Sequence, residues 1–276
     1  MKIGIIGLGL IGGSMAMTIR KHTEHSVFGL DIDRKVVLQA KAVEAIHDEL
    51  TEDMLPSCDL VLVCLFPQLC ADWIIAHAGA FGKGALVIDC AGVKRWVEDQ
   101  VAPVAAEHGW TYIGGHPMAG REFSGFAAAR GNLFENASMI LCPPPEAGIE
   151  AREAAKAFFL EAGFKMVRFC NPAAHDQMIA YTSQLAHVVS GAYVKNPLAQ
   201  SHKGFSAGSF LDMTRVARMN EVMWTELFLE NDDLLLPALD DLILRLNQYR
   251  DALASGDADA LLPVLREGRE CKEALD

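Results

Sequence analysis

Three glycines, an aspartate and a histidine carry the first chemistry legible in the chain. Gly7, Gly9 and Gly12 stand in the run Ile3-Gly4-Ile5-Ile6-Gly7-Leu8-Gly9-Leu10-Ile11-Gly12, directly after a strand-length apolar run and at the start of a helical pattern. In that setting Gly7 permits a tight turn, Gly9 lets backbone approach a pyrophosphate, and Gly12 lets helix and strand pack closely. Leu8, Leu10 and Ile11 complete the turn and the helix N-terminus, whose unpaired N–H groups and positive dipole end receive phosphates. Asp31 follows nineteen residues after Gly12, at the end of the second apolar run. A carboxylate there can accept both ribose hydroxyls of NAD and would repel the 2′-phosphate of NADP, so NAD is the expected cofactor and NADP the less favoured one. The competing role for Asp31 is to cap the next helix.

The histidine is His116, in Gly114-Gly115-His116-Pro117-Met118-Ala119-Gly120. Flanking glycines and the following proline predict a rigid loop after a strand over residues 111–114. A loop histidine with a neutral-range pKa, beside a nicotinamide site, can take the proton of an alcohol as hydride leaves. Equally, it could only brace its own turn. Further along, His187 falls mid-helix among apolar residues, where a satisfied core histidine and a ligand contact compete. Arg215 could hold a carboxylate or merely pair with Asp212 three residues earlier.

These residues need a frame. Apolar runs at 3–6, 27–31, 60–65, 86–89, 111–114 and 139–142 are rich in Val, Ile and Leu without strict alternation, as in strands buried on both faces. Helical patterns at 11–21, 34–43, 69–78 and 93–108 lie between them, which implies βαβ units and a parallel sheet. Pro143-Pro144-Pro145 then breaks the chain, and a helix (149–163) and a strand (165–169) follow. After Asn171-Pro172 the apolar spacing becomes three to four: one long helix over 174–195, shorter ones over 210–218 and 221–230, and another over 232–253 with Pro237 placed to kink it. The expected fold is therefore an α/β Rossmann-type N-terminal domain with a mostly parallel sheet over residues 1–170, and an all-α C-terminal domain over 171–276.

Bulk properties narrow the partners. The 276 residues are 51% hydrophobic and 22% charged, with a net charge of −12, so neither a disordered nor a fibrous chain fits. The longest apolar stretch, 60–66, falls far short of the roughly 18 residues a membrane span needs. A uniformly acidic chain repels nucleic acid and anionic lipid, which makes both poor partners, yet a small anion feels only the local site. The seven cysteines form no CxxC pair. They suit reduced thiols in a cytoplasmic protein, with neither a disulfide framework nor a metal site expected.

At this point a family resemblance emerges. His116-Pro117-Met118-Ala119-Gly120 with Glu122, behind Gly7-Leu8-Gly9-Leu10-Ile11-Gly12-Gly13-Ser14, resembles the prephenate and arogenate dehydrogenases of tyrosine biosynthesis. Leu185-Ala186-His187 is similar to the family's helix with an inward histidine, with Ala186 in place of the usual proline. Phe210-Leu211-Asp212-Met213-Thr214-Arg215-Val216-Ala217, Met223-Trp224 and Phe228-Leu229-Glu230-Asn231 extend the likeness through the second half. The resemblance implies NAD-dependent oxidative decarboxylation of prephenate, a small dicarboxylate, to 4-hydroxyphenylpyruvate. It implies His116 as the base, Arg215 holding a substrate carboxylate, His187 lining the pocket, Gly208 letting backbone approach the substrate, and a homodimer through the helical domain. One position departs from the pattern. The family's hydroxyl residue before Val-Lys, which helps orient the histidine, is Gly92 in Asp89-Cys90-Ala91-Gly92-Val93-Lys94. Another group must then orient His116.

Three other readings compete: an arogenate dehydrogenase of the same family, a β-hydroxyacid dehydrogenase, and a non-catalytic NAD-sensing protein with a decayed site. The second would place a lysine, then an asparagine four residues later, on the long helix. Here Lys195 is followed by Ala199, so that pattern is missing. Joint retention of His116 and Arg215 weighs against the third.

Overall fold

The computed structural model describes residues 1–275; Asp276, the last residue of the expected helical domain, lies outside them. Eight strands form one sheet: β1 (Lys2–Ile6), β2 (Ser26–Leu30), β3 (Asp48–Glu49), β4 (Leu60–Val63), β5 (Leu86–Asp89), β6 (Thr111–Pro117), β7 (Ser138–Cys142) and β8 (Met166–Phe169). Their order is β3-β2-β1-β4-β5-β6-β7-β8. β1 to β6 run parallel, β7 pairs antiparallel with β6, and β8 is parallel to β7. The chain reverses its direction of travel between β1 and β4, where open α/β sheets bind ligands at the strands' carboxyl ends.

The helices that cover the sheet are α1 (Leu10–His22), α2 (Arg34–Ala42), α3 (Pro67–Ala76), α4 (Arg95–His108) and α5 (Ile149–Glu161). One apolar layer joins β1, α1 and α5 around Ile3, Ile5, Met15, Ile19, Phe158 and Phe159; a second, around Val61, Val63, Val87, Ile74 and Val101, joins the sheet to α3 and α4. The strand side of both layers consists of the continuous Val/Ile/Leu runs read from the sequence, since strands covered on both faces have no polar side to alternate with.

A helical segment continues from β8: α6 (Pro172–Ile179), a π turn (Ala180–Gln184), α7 (Leu185–Tyr193), α8 (Gly208–Thr214) and α9 (Glu221–Leu229). Asn171 caps α6 by accepting the Ala174 N–H, and Pro172 opens it at a position where the missing N–H costs nothing. The expected helix over 174–195 is thus continuous but wound more loosely at its centre. The compact unit that holds the sheet runs from Met1 to Asn231, and a second begins at Asp232. Residues 171–231 share the sheet's unit because buried polar contacts cross residue 170: Asp176 accepts the Lys94 and Arg95 N–H groups at 2.8 and 2.9 Å.

The second unit contains α10 (Asp232–Ser255) and α11 (Ala258–Glu273). Pro237 does not break α10; it sits within the second turn, where it removes a single i→i−4 bond. α11 lies beyond the last expected helix, 232–253, and carries Pro263 within it. Among the described residues no helix is long and apolar enough to cross a membrane, no cluster of ligating side chains could hold a metal ion, and all seven cysteines are free.

Candidate active site

The turn between β1 and α1 has the shape its glycines predict. Gly7 adopts φ +80°, in the left-handed region that glycine favours, and a Cβ there would lie 2.8 Å from the Cys64 carbonyl oxygen. At Gly12 a Cβ would stand 1.8 Å from the Gly7 carbonyl oxygen, so only glycine lets α1 start this close. At Gly9 a Cβ would meet nothing within 4 Å: the backbone there faces open space. Leu8 is buried, while Leu10 and Ile11 are half-buried on the first turn of α1, which no side chain caps. Uncapped N–H groups facing open space across a glycine are what a pyrophosphate requires, so the turn fits a dinucleotide.

Asp31 lies one residue beyond β2. Its Oδ2 accepts the Leu8 N–H at 2.8 Å and its Oδ1 the Asp33 N–H at 2.9 Å. The carboxylate thereby locks the turn, and each oxygen keeps a lone pair for a ribose hydroxyl. The helix-capping role falls instead to Asp33, which accepts the Lys35 N–H at the start of α2.

His116 is not in a loop. β6 continues to Pro117, and His116 pairs with Ile140 of β7. The glycines that suggested a loop allow close packing: a Cβ at Gly115 would lie 2.5 Å from the Asp89 carbonyl oxygen. The antiparallel partner β7 extends the strand past the parallel ladder, which ends at Ile113. His116 therefore projects from a rigid element, at the same carboxyl edge as the glycine turn and three strands away from β1. Three strand spacings are about 14 Å, a span that an extended dinucleotide bridges.

Behind His116 lies a buried polar network. The fully buried Lys94 and Asp89 form an ion pair, and Lys94 Nζ also donates to the Gly115 carbonyl at 2.7 Å. Asp89 Oδ2 accepts the Tyr112 hydroxyl at 2.8 Å and the Gly115 N–H at 3.3 Å, and Oδ1 accepts the Ala91 N–H at 2.8 Å. Burial, then the Asp89 charge, pushes the Tyr112 phenol far up, so it stays a donor. Lys94 thus holds the strand that bears the histidine.

A second set of groups touches His116 directly. Its Nδ1 lies 2.9 Å from His175 Nε2, and His175 Nδ1 lies 2.7 Å from Asp176 Oδ1. Asp176 also accepts Arg95 Nε at 3.2 Å; Arg95 Nη2 donates to Asn231 Oδ1 at 2.9 Å, and Asn231 Nδ2 donates to Gln184 Oε1 at 2.8 Å. Burial, with His175 and Lys94 nearby, holds His116 well below the ordinary imidazole range, not within it as expected of a loop residue. Burial also lowers His175, although Asp176 acts in the opposite direction. For Asp176 burial alone would raise the carboxyl; the hydrogen bonds from His175, Arg95 and Lys94 outweigh it and hold it below the usual range.

The remaining expected residues gather elsewhere in the same unit. His187 on α7 donates from Nδ1 to the Ser183 carbonyl at 2.8 Å, and its ring lies 3.8 Å from that of Trp224. Burial, and after it the positive charge of Arg215, keeps His187 below its ordinary range, so Arg215 is close by. Arg215 itself is exposed. Gly208 opens α8 with free space at its Cβ position. Among the described residues no hydrogen bond or ion pair joins this group to His116. Near Arg215 in the chain, the Arg218 guanidinium lies 5.3 Å from the ring of Phe123, in the loop that follows β6. At Gly92 a Cβ would lie 2.9 Å from Leu227 Cδ2, so an apolar side chain covers the position that lacks the hydroxyl.

Sequence reasoning missed His175 and Asp176. The available signal was an adjacent His-Asp pair in the first turns of a helix opened by Asn-Pro. Only the fold shows that this pair meets His116, fifty-nine residues away.

The family model described as prephenate dehydrogenase, nucleotide-binding domain, matches residues 15–168, and that described as prephenate dehydrogenase, dimerization domain, matches residues 171–267. A curated cyclohexadienyl dehydrogenase of Zymomonas mobilis is 30% identical over 99% of this chain and 95% of its own length. Among solved structures, the prephenate dehydrogenase of A. aeolicus in complex with hydroxyphenyl propionate and NAD+ is 25% identical, with a TM-score of 0.87 over 100% of this chain and 98% of the other. The arogenate dehydrogenase of Synechocystis is also 25% identical, with a TM-score of 0.82 over 100% of both chains.

Proposed function

Because the chain belongs to the prephenate dehydrogenase family, we propose that it catalyses the NAD-dependent oxidative decarboxylation of prephenate to 4-hydroxyphenylpyruvate. The observation that carries this reading is a histidine held on a strand and hydrogen-bonded to His175, at the sheet edge that also bears a dinucleotide-shaped turn. NAD, when bound, supplies the hydride acceptor. The 7–12 turn, comprising Gly7, Leu8, Gly9, Leu10, Ile11 and Gly12, would hold its pyrophosphate, and Asp31 its ribose hydroxyls.

His116 is the base. It accepts the proton of the ring C4 hydroxyl as the C4 hydride departs. Loss of the ring carboxylate as CO2 then makes the ring aromatic, which drives the reaction forward. Arg215 holds a substrate carboxylate through its planar fork. His187, fixed by Ser183 and Trp224, lines the pocket. Gly208 leaves room for the substrate to approach backbone.

Arogenate, which carries an alanyl group in place of the pyruvyl group, is the second candidate, favoured by the Synechocystis likeness. A steady-state comparison of both substrates, each with NAD and with NADP, tests the reading. The expected result is NADH formation fastest with prephenate. No turnover with either substrate would overturn it.

Two substitutions bear on the binding roles. Replacing Asp31 by Ala removes a charged acceptor worth about 1.5–3 kcal/mol, so the preference for NAD over NADP should fall roughly 10- to 100-fold in kcat/KM. An unchanged ratio would show that the ribose is held elsewhere. Arg215→Ala should raise KM for the substrate by a similar factor. The figure is about 1.5–3 kcal/mol, and not the 3–5 of a desolvated pair, because Arg215 is exposed. An unchanged KM would remove the assignment.

Residues 171–231 would close the substrate site, and the helical region over 171–276 would pair subunits into a homodimer. Leu236, Ile243, Leu244 and Leu246 on α10, with Leu262 and Leu265 on α11, expose apolar surface suited to a partner copy. The seven free cysteines suit a cytoplasmic location.

A further inference from the structure

The hydrogen-bonded chain Asp176–His175–His116 bears on which nitrogen of His116 carries the proton. Asp176 is held below the usual carboxylate range and is therefore ionised, so it can only accept. His175 Nδ1, 2.7 Å away, must carry a hydrogen. A neutral imidazole has one N–H, so His175 Nε2 is an acceptor. His116 Nδ1, 2.9 Å from it, must then be the donor, which leaves the lone pair on His116 Nε2.

We infer that His175 is a positioning residue that, backed by Asp176, fixes His116 as the Nδ1–H tautomer and so keeps Nε2 as the base. The inference rests on the proposed reaction, in which Nε2 receives the hydroxyl proton: the substrate O–H bond breaks, an Nε2–H bond forms, and the Nδ1 proton stays where it is. His116 is then an imidazolium that still donates from Nδ1 to His175, with the Asp176 carboxylate behind to offset the new charge. The groups facing the pair are Lys94, whose Nζ donates to the Gly115 carbonyl, its partner Asp89, and Arg95 on Asp176. The Glu230 carboxyl, with a buried Oε2, also acts on Asp176 and Lys94, while the hydrogen bond from His116 Nδ1 goes to His175. Position 92 cannot orient the ring either, being a glycine covered by Leu227.

The test uses two variants at position 175 and nitrogen-15 NMR. Asn at position 175 places an amide near the Nδ1 site, keeping a donor for Asp176 but withdrawing the acceptor from His116. Gln reaches the Nε2 site and restores an acceptor oxygen. His175→Asn should lower kcat about 100-fold with KM for substrate and NAD unchanged, and His175→Gln should recover a large part of that loss. Independently of turnover, nitrogen-15 NMR of the wild-type protein, with His116 assigned by difference against His116→Asn, should show the ring proton on Nδ1. A proton on Nε2 in the wild type, or a His175→Asn variant within about twofold of wild-type kcat, would overturn the inference. Failure of the wild type to oxidise either substrate would instead refute the proposed reaction and leave the tautomer measurement to decide the role of His175.

Discussion

His116→Asn should lower kcat by about 10²- to 10⁴-fold, the contribution of a positioned acid–base group, while NAD still binds. Asparagine keeps the approximate size and a polar tip, but its amide cannot take up a proton near neutral pH. The dinucleotide turn is built from Gly7 to Gly12 and Asp31, none of which touches His116, so cofactor affinity should survive within a few fold. Steady-state kinetics with a separate NAD titration checks both halves. The wild-type pH profile adds a directional check. A base works when neutral, and burial holds His116 well below 6.5. The acid limb of kcat/KM due to this residue should therefore lie below 6.5, and activity should fall only when pH drops through that lower range. A variant with near-wild-type kcat would remove His116 from the chemistry.

Lys94→Met should cost about 3–5 kcal/mol of stability, the penalty for stranding a buried charge. Lys94 and Asp89 are both fully buried, and methionine fills the stem of the lysine without its ammonium. Asp89 would keep the Tyr112 hydroxyl and the Ala91 and Gly115 N–H groups but lose its counter-charge, and the Gly115 carbonyl would lose its donor. Because Gly115 adjoins His116, kcat should fall as well. Urea unfolding measures the first effect. Adding Asp89→Asn to Lys94→Met should recover much of the loss, since a neutral amide needs no cation. A single variant within 1 kcal/mol of wild type would show that the pair contributes little.

Much of the site was legible in the sequence, for local reasons. The glycine turn follows from covalent geometry at three positions, and Asp31 from the length of one βα unit; both are properties of neighbouring residues. The His116 motif suggested a loop, and the structure places the residue on a strand. Glycine and proline suggest a loop when read alone, but here they permit a strand to pack tightly against Asp89 and to gain an antiparallel partner from a segment more than twenty residues later. The burial of Lys94 was not legible, because it depends on β5 and β6 closing around it. His175 was invisible for the same reason. An adjacent His-Asp pair at a helix start has many surface uses, and only the return of α6 to the end of β6 gives it a partner. The missing hydroxyl at Gly92 was noticed at once, whereas Leu227, which covers the position, lies 135 residues away in the chain.

The central claim is that this chain oxidises prephenate with NAD through His116. Its most direct test is to mix the protein with prephenate and NAD and to measure NADH and CO2 together. The predicted result is equal amounts of both from the wild type and almost none from His116→Asn, with NAD still bound. Absence of both products from the wild type, or equal rates from the two proteins, would contradict it.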